Sequence, residues 1–368
     1  MNVEKGKISG MQLFFCVTGF VQGSILLVNF AVGITESQTW MAVLASIAIS
    51  IPFVYSYIAL AKRFPGLNII QINDVVYGPI IGKLLSLYYI LFFALTLSFN
   101  IRDIGELYNT FLMPDAPFIF FLVVFAATCA YAVYKGLESI ARISHVVVTI
   151  SIAITILIFL LLIDYMDFSN FLPLFKVPPI KILHGLHVIS AIPFAESIIF
   201  LMIICSVNKK DKVAKNYILG ILVGGMVLLN AAIRNTAVLG KTETLWTSAS
   251  FESARIIDLG TVLTRMDLLI GVTQTIMIFF KTCLFLYAFV TAVAQILGLK
   301  SYLPILLPLT AIEVILAATV FQSPVDHAMI TQNAGIIYST PLLYLIPAIS
   351  LLIAVIRGLP KTKRRKKS

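Results

Sequence analysis

The sequence predicts an all-α polytopic membrane protein of ten transmembrane helices, arranged as an inverted repeat of five plus five, with breaks in helices 1 and 6. Three observations lead there. The chain of 368 residues is 60% hydrophobic and 12% charged, where a soluble domain carries about a quarter charged residues. Uncharged runs at 8–35, 37–61, 84–101, 116–134, 143–163, 216–233 and 328–356 approach or exceed the roughly 18 residues that span a bilayer, and three further spans carry one charge each, Glu196, Lys281 and Glu313. Helix-breaking residues fall mid-span in helices 1 and 6, the corresponding members of two halves at about 8–163 and 184–357. With an odd number of spans per half, these two helices enter from opposite sides. One transmembrane domain thus covers 1–360, and a basic tail follows at 361–368.

Most of the 27 Lys and Arg residues fall on one side of this arrangement if the N-terminus is cytoplasmic, among them Lys5, Lys7, Lys62, Arg63, Lys209, Lys210 and the tail. The positive-inside rule then places both termini in the cytoplasm. The net charge of +10 needs no nucleic acid to explain it; the tail suits anionic lipid head groups or a cytosolic partner. The N-terminal span is too long for a signal-peptide core and reads as a retained helix. Cys16, Cys129, Cys205 and Cys283 fall on four different spans without metal-ligand spacing, so they read as buried apolar thiols.

Helix α1, about 10–32, contains Thr18, Gly19, Gln22, Gly23 and Ser24. The Gly19–Gly23 spacing favours close helix packing; equally, it suits an unwound stretch whose bare amides hold a carboxylate. Helix α2 (about 38–61) is apolar scaffold apart from Pro52. Turn formers and a short amphipathic piece lead to α3 (about 83–109), whose outer end holds Arg102, Asp103 and Glu106. Arg102 and Glu106 are four apart on one face and read as a local interfacial ion pair or an external gate. Helix α4 (116–134) carries no chemistry, and α5 (about 141–163) only His145 near its cytoplasmic end.

Helix α6, about 184–206, is the focus of the chain. It contains Ser190-Ala191-Ile192-Pro193-Phe194-Ala195-Glu196 at mid-span. Pro193 removes a backbone donor and clashes with the preceding turn, and a charge at Glu196 costs a few kcal/mol unless it meets a partner, a proton or water. A broken helix with an acid at that depth is how many transporters build a ligand site. His184 and His187 share its entrance but lack a third metal ligand. Helix α7 (about 215–240) has Gly220, Gly224 and Gly225 for packing and Asn230, Arg234 and Asn235 in its outer third. In the long connection 241–266, Ser250 to Leu259 reads as a capped helix, lying over the outer mouth or forming an interface for another protein. Helix α8 (about 267–298) holds Lys281, the natural partner for Glu196, although sequence alone shows no contact. Helix α9 (about 302–322) holds Glu313, and α10 (about 334–356) is apolar with Pro341 and Pro347.

The five-plus-five arrangement resembles the amino acid–polyamine–organocation transporter superfamily with its LeuT-like fold. Ile8-Ser9-Gly10-Met11-Gln12, Ile192-Pro193-Phe194-Ala195-Glu196, Ser253-Ala254-Arg255, Arg265-Met266-Asp267 and Phe280-Lys281 resemble more closely the B subunit of spore germination nutrient receptors, the GerAB-type permease-like family. Two departures stand out: Ala195, where a glycine is expected before the acid, and Asp267 in place of a longer acid. The resemblance implies a membrane subunit in the spore inner membrane, working beside A and C receptor subunits, that binds a small-molecule germinant, often an amino acid. The ligand would sit between the two breaks, with Gly19–Gly23 backbone, flanked by Thr18, Gln22 and Ser24, on its carboxylate. Ala191, Ile192, Pro193, Phe194 and Glu196 would hold its amine, and Phe99, Asn100 and Thr282 the side walls. Arg102, Glu106, Glu196 and Lys281 would couple or gate.

The alternative function is a proton- or cation-coupled amino-acid transporter using the same site. An enzyme is set aside, because charged residues are dispersed over separate spans without nucleophile–base spacing. The sequence calls for no catalytic residue, cofactor or metal.

Overall fold

The computed structural model describes residues 6–208, 210–257 and 265–360. The expected basic tail at 361–368, and Lys5, Lys209, Asp258 and Leu259, lie outside the described residues. Within them run the ten expected helices: α1 in two pieces, α1a (Gly10–Gln22) and α1b (Ile25–Thr35), α2 (Thr39–Arg63), α3 (Pro79–Leu112), α4 (Phe118–Tyr134), α5 (Leu137–Leu161), α6 (Pro179–Met202), α7 (Val213–Leu239), α8 (Asp267–Ile296), α9 (Leu303–Thr319) and α10 (Pro324–Ile356). Short helices at Ile69–Tyr77 and Ala249–Arg255 lie between them.

Helix α1a begins where its sequence can close a capping box. Gln12 N donates to Ser9 Oγ (3.1 Å) and Ser9 N to Gln12 Oε1 (2.7 Å), so two otherwise orphaned amides satisfy each other's residues. Just before it, Ile8 N donates to Ser206 O and Asn208 N to Ile8 O, both at 3.0 Å. The entry to one broken helix is thereby pinned to the exit of the other.

The break in α1 lies at Gly23–Ser24, later than the start of the expected stretch. Helical bonding continues through Gly19 to Gln22, and Ser24 leaves the helical region at φ −102°, ψ 16°. Both glycines serve the first of the two expected roles, close packing. A Cβ on Gly19 would meet Val148 and Phe280 side chains, so Gly19 serves packing. A Cβ on Gly23 would lie 2.6 Å from Met277 O and 2.8 Å from Lys281 Cβ, so Gly23 lets the break itself press against α8. Opposite, Gly220 and Gly224 of α7 admit Val17 and Val21 of α1a, the close approach that small residues permit.

Helix α6 breaks where Pro193 predicts. Ile192 is extended (φ −125°, ψ 113°) within a wide turn over Ser190–Phe194, which leads into a tightly wound stretch over Ala195–Met202. Ala195 is itself helical (φ −72°, ψ −29°), a conformation that needs no glycine, so its departure from the family pattern costs the break nothing.

Helix α10 corrects the expected boundary. It starts at Pro324, capped by Ser323 Oγ accepting from Asp326 N at 3.1 Å, ten residues before the expected start. Polar residues from Gln322 to Asn333 disguised this first part as a loop. The helix contains two widened turns, Thr331–Gly335 and Pro341–Leu345. Pro347 has no N–H for the carbonyls four and five residues back, Leu343 and Leu342. Tyrosines supply the missing donors: Tyr57 of α2 donates to Leu343 O, and Tyr89 of α3 to Leu342 O at 3.0 Å. Tyr57 OH also lies 3.3 Å from Ala195 O, joining the α6 break to α10. Tyr57→Phe should leave a buried carbonyl unsatisfied, at about 1–3 kcal/mol; a thermal midpoint in detergent equal to wild type would contradict this.

Candidate functional site

Because α6 re-forms directly after its break, Glu196 projects into the bundle from the first turn of the second segment, fully buried. Lys281 reaches it from the middle of α8. Its Nζ is 2.8 Å from Glu196 Oε2 and donates to Ser24 Oγ at 2.7 Å. The ammonium also stands 5.4 Å from the Phe20 ring centre and 5.9 Å from that of Phe285. One cation therefore spans both helix breaks. Either charge alone at this depth would cost several kcal/mol; paired, each offsets much of the other's desolvation.

Beside the pair lies a cavity of about 20 Å³, room for one water molecule. Helix α3 lines it with Phe92, Thr96, Phe99, Asn100 and Asp103, α6 with Ile192 and Glu196, α8 with Lys281, and α10 with His327, Thr331, Gly335, Tyr338 and Ser339. The site is thus closed around its ion pair.

Of the expected site residues, Phe99, Asn100, Ile192, Glu196 and Lys281 meet at this cavity, and Ser24 touches it through Lys281. The others face elsewhere. Thr18 Oγ1 donates to Phe14 O (2.9 Å) and is 3.4 Å from Gly220 O. Gln22 accepts from Ser151 at 2.7 Å, Thr282 donates to Ile278 O at 2.7 Å, and Ala191, Pro193 and Phe194 are buried outside the lining. The amides expected to hold a carboxylate are engaged, Gly23 N with Gly19 O (2.9 Å) and Ser24 N with Val21 O (3.2 Å). The reason is geometric: the turn that ends α1a still closes its own hydrogen bonds, so the opening lies on the α3–α10 side.

Arg102 and Glu106 do pair, at 2.6 Å, but with Arg102 buried and Glu106 mostly so rather than as an exposed cap. Arg102 also donates to Ala317 O at 3.1 Å, and its guanidinium stands 5.3 Å from the Phe118 ring centre and 5.6 Å from that of Phe321. His327 Nδ1 is 3.1 Å from Glu106 Oε2 and 3.9 Å from Asp103 Oδ1. His327 and Thr331 lie in the part of α10 that precedes the expected start, and Tyr338 lies on the expected helix without a charge to single it out. A polar stretch whose His327 follows Ser323-Pro324 by helical cap spacing was the available signal. His184 and His187 do not form a pair; their Nε2 atoms contact Gln332 O and Thr340 Oγ1 of α10, each at 3.0 Å. Glu313 is buried with neither carboxylate oxygen hydrogen-bonded.

Two broken helices joined through a buried ion pair, within a ten-helix bundle, define a membrane protein of transporter architecture. Solved transporters share it. MhsT in complex with L-phenylalanine superposes with a TM-score of 0.68 at 14% identity, over 96% of this chain and 87% of that one. MHP1, a nucleobase-cation-symport-1 family transporter with bromovinylhydantoin bound, gives 0.67 at 13%, over 94% and 78%. At this identity the likeness shows the LeuT-like fold alone. The chain belongs to the spore germination protein family of permeases, whose pattern matches residues 7–326. Among relatives from Bacillus subtilis (strain 168), it is 27% identical to spore germination protein KB across its whole length and 98% of that protein. It is 26% identical to spore germination protein B2 over 45% of this chain and 44% of that one.

Removing one partner of the ion pair leaves an uncompensated buried charge. Lys281→Met or Glu196→Gln should each cost about 3–5 kcal/mol, and the double substitution should cost less than their sum. Additive losses in denaturant or thermal unfolding would show that the two groups are not coupled.

Proposed function

We propose that this chain is the membrane subunit of a spore germinant receptor, and that it binds a small nutrient, an amino acid, by opening the Glu196–Lys281 pair. The observation that carries this reading is the pair itself. An amino acid offers the same two charges, an ammonium for Glu196 and a carboxylate for Lys281. It can therefore replace an internal ion pair with two external ones at little electrostatic cost. Phe92, Phe99 and Tyr338 would flank its side chain. Binding would also release Ser24, and with it the α1 break, converting occupancy into helix movement.

In this reading the chain sits multi-pass in the spore inner membrane with both termini cytoplasmic, and passes its signal to A and C receptor subunits. Its role is binding rather than catalysis. The transporter architecture supports a second reading, a proton- or cation-coupled amino-acid transporter. Net uptake of substrate into proteoliposomes by the chain alone would favour that reading over a pure sensor.

A ligand that binds only the folded state raises its melting midpoint with occupancy, about 2.7 kcal/mol at a hundred times Kd. Amino acids, sugars and nucleosides should be screened this way on the purified chain and on the chain co-expressed with its partner subunits. One amino acid should stabilise the wild type and not Glu196→Gln or Phe99→Ala. The absence of any shift in both preparations, or equal shifts in the variants, would sink this reading.

A further inference from the structure

We propose that Asp103, Glu106 and His327 form a binding site for one divalent transition cation of the zinc type, where the C-terminal end of α3 meets the start of α10. Each offers one ligand atom, and the three atoms lie within 4.8 Å of one another. Two ligands of a tetrahedral ion at about 2.0–2.1 Å sit roughly 3.3 Å apart. Here His327 Nδ1 is 3.1 Å from Glu106 Oε2 and 3.9 Å from Asp103 Oδ1. Closing around an ion thus needs shifts well under an ångström for these two edges. One imidazole with two carboxylates suits borderline divalent ions over calcium or magnesium, which prefer oxygen alone.

Charge and burial point the same way. Asp103 is 6% exposed and His327 1%. Around them stand the carboxylates Asp103, Glu106 and Glu196 against the cations Arg102 and Lys281. The group thus sets three carboxylates against two fixed cations in a medium that penalises unpaired charge. Arg102 Nε takes Glu106 Oε1 (2.6 Å), which orients that carboxylate and leaves Oε2 toward His327. Independently, Thr331 Oγ1, on a residue only 2% exposed, has no hydrogen-bond partner and lines the cavity that Asp103 and His327 also line. That cavity holds one water-sized group, sufficient for a fourth ligand. A bound ion would tie α10 to α3 across one wall of the cavity, whichever ligand the cavity takes.

The test is Co²⁺ titration of the metal-stripped, detergent-purified chain, reading its visible ligand-field absorption, with thermal midpoints in Zn²⁺ and Mg²⁺ alongside. Expected are one Co²⁺ per chain without a thiolate charge-transfer band, and stabilisation by Zn²⁺ but not Mg²⁺. Asp103→Asn, His327→Ala and the better-packing His327→Gln should each weaken Co²⁺ binding by more than about tenfold, whereas His145→Ala should not. The proposal is overturned by unchanged binding in folded Asp103→Asn or His327→Gln, by a thiolate band, or by wild-type protein that takes up no Co²⁺. A midpoint that responds to pH and not to Zn²⁺ would likewise overturn it, leaving the cluster a proton-bearing hydrogen-bond network.

Discussion

The structure depends on one constraint: a carboxylate and an ammonium must share the middle of a bundle that lipid surrounds. Glu196 and Lys281 are both cut off from bulk solvent, so each holds the other, at 2.8 Å. That requirement sets the local architecture. Glu196 can project inward at the right depth because Ile192 and Pro193 interrupt α6 just before it. Lys281 can approach because Gly23 lets the α1 break press against α8, where Ser24 takes a second ammonium hydrogen. Two helix breaks, which would otherwise expose backbone groups in an apolar medium, are thereby held by a single side chain.

Helix α10 supplies what the breaks leave unfinished. Its widened turns and Pro347 free carbonyls that an ideal helix would bond internally, and tyrosines of α2 and α3 occupy two of them. A third, Tyr88, donates to Tyr338 O. The bonds have a consequence for packing. A helix held through side-chain hydroxyls on its carbonyls is attached at points, unlike α1a and α7, which interlock glycine to valine along their length.

Much of this was legible in the chain. Span number, the α6 break and the Glu196–Lys281 partnership follow from rules that act locally or by elimination: proline cannot continue a helix, and an isolated charge cannot remain in lipid. What escaped was set by direction. Thr18, Gly19 and Gln22 share the depth of the site, yet helical rotation turns Thr18 to α7, Gly19 to α5 and α8, and Gln22 to α5. Arg102 and Glu106 were readable as a pair, but their burial comes from Phe118, Phe321 and Ala317, on segments distant in sequence. His327 is hidden for a different reason: it sits in a polar first stretch of α10, where hydropathy averages over the polar face of a helix that looks inward.

These geometries also say which wall can move. A cavity of about 20 Å³ is far smaller than a nutrient, so admission requires displacement of an element. Helices α6 and α8 are buried on nearly all sides, and close-packed interiors resist such shifts. Helices α3 and α10 each contribute five of the cavity's lining residues and are equally less enclosed; α10 differs in carrying two widened turns inside its span, features that often mark functional sites in helices. Sliding it would exchange tyrosine-to-carbonyl bonds for others of the same kind, with no packed glycine seam to break. Tyr57 touches both Leu343 and Ala195, so movement of α10 is felt one residue before Glu196. The ion pair and α10 are therefore parts of one mechanical unit, joined through Tyr57.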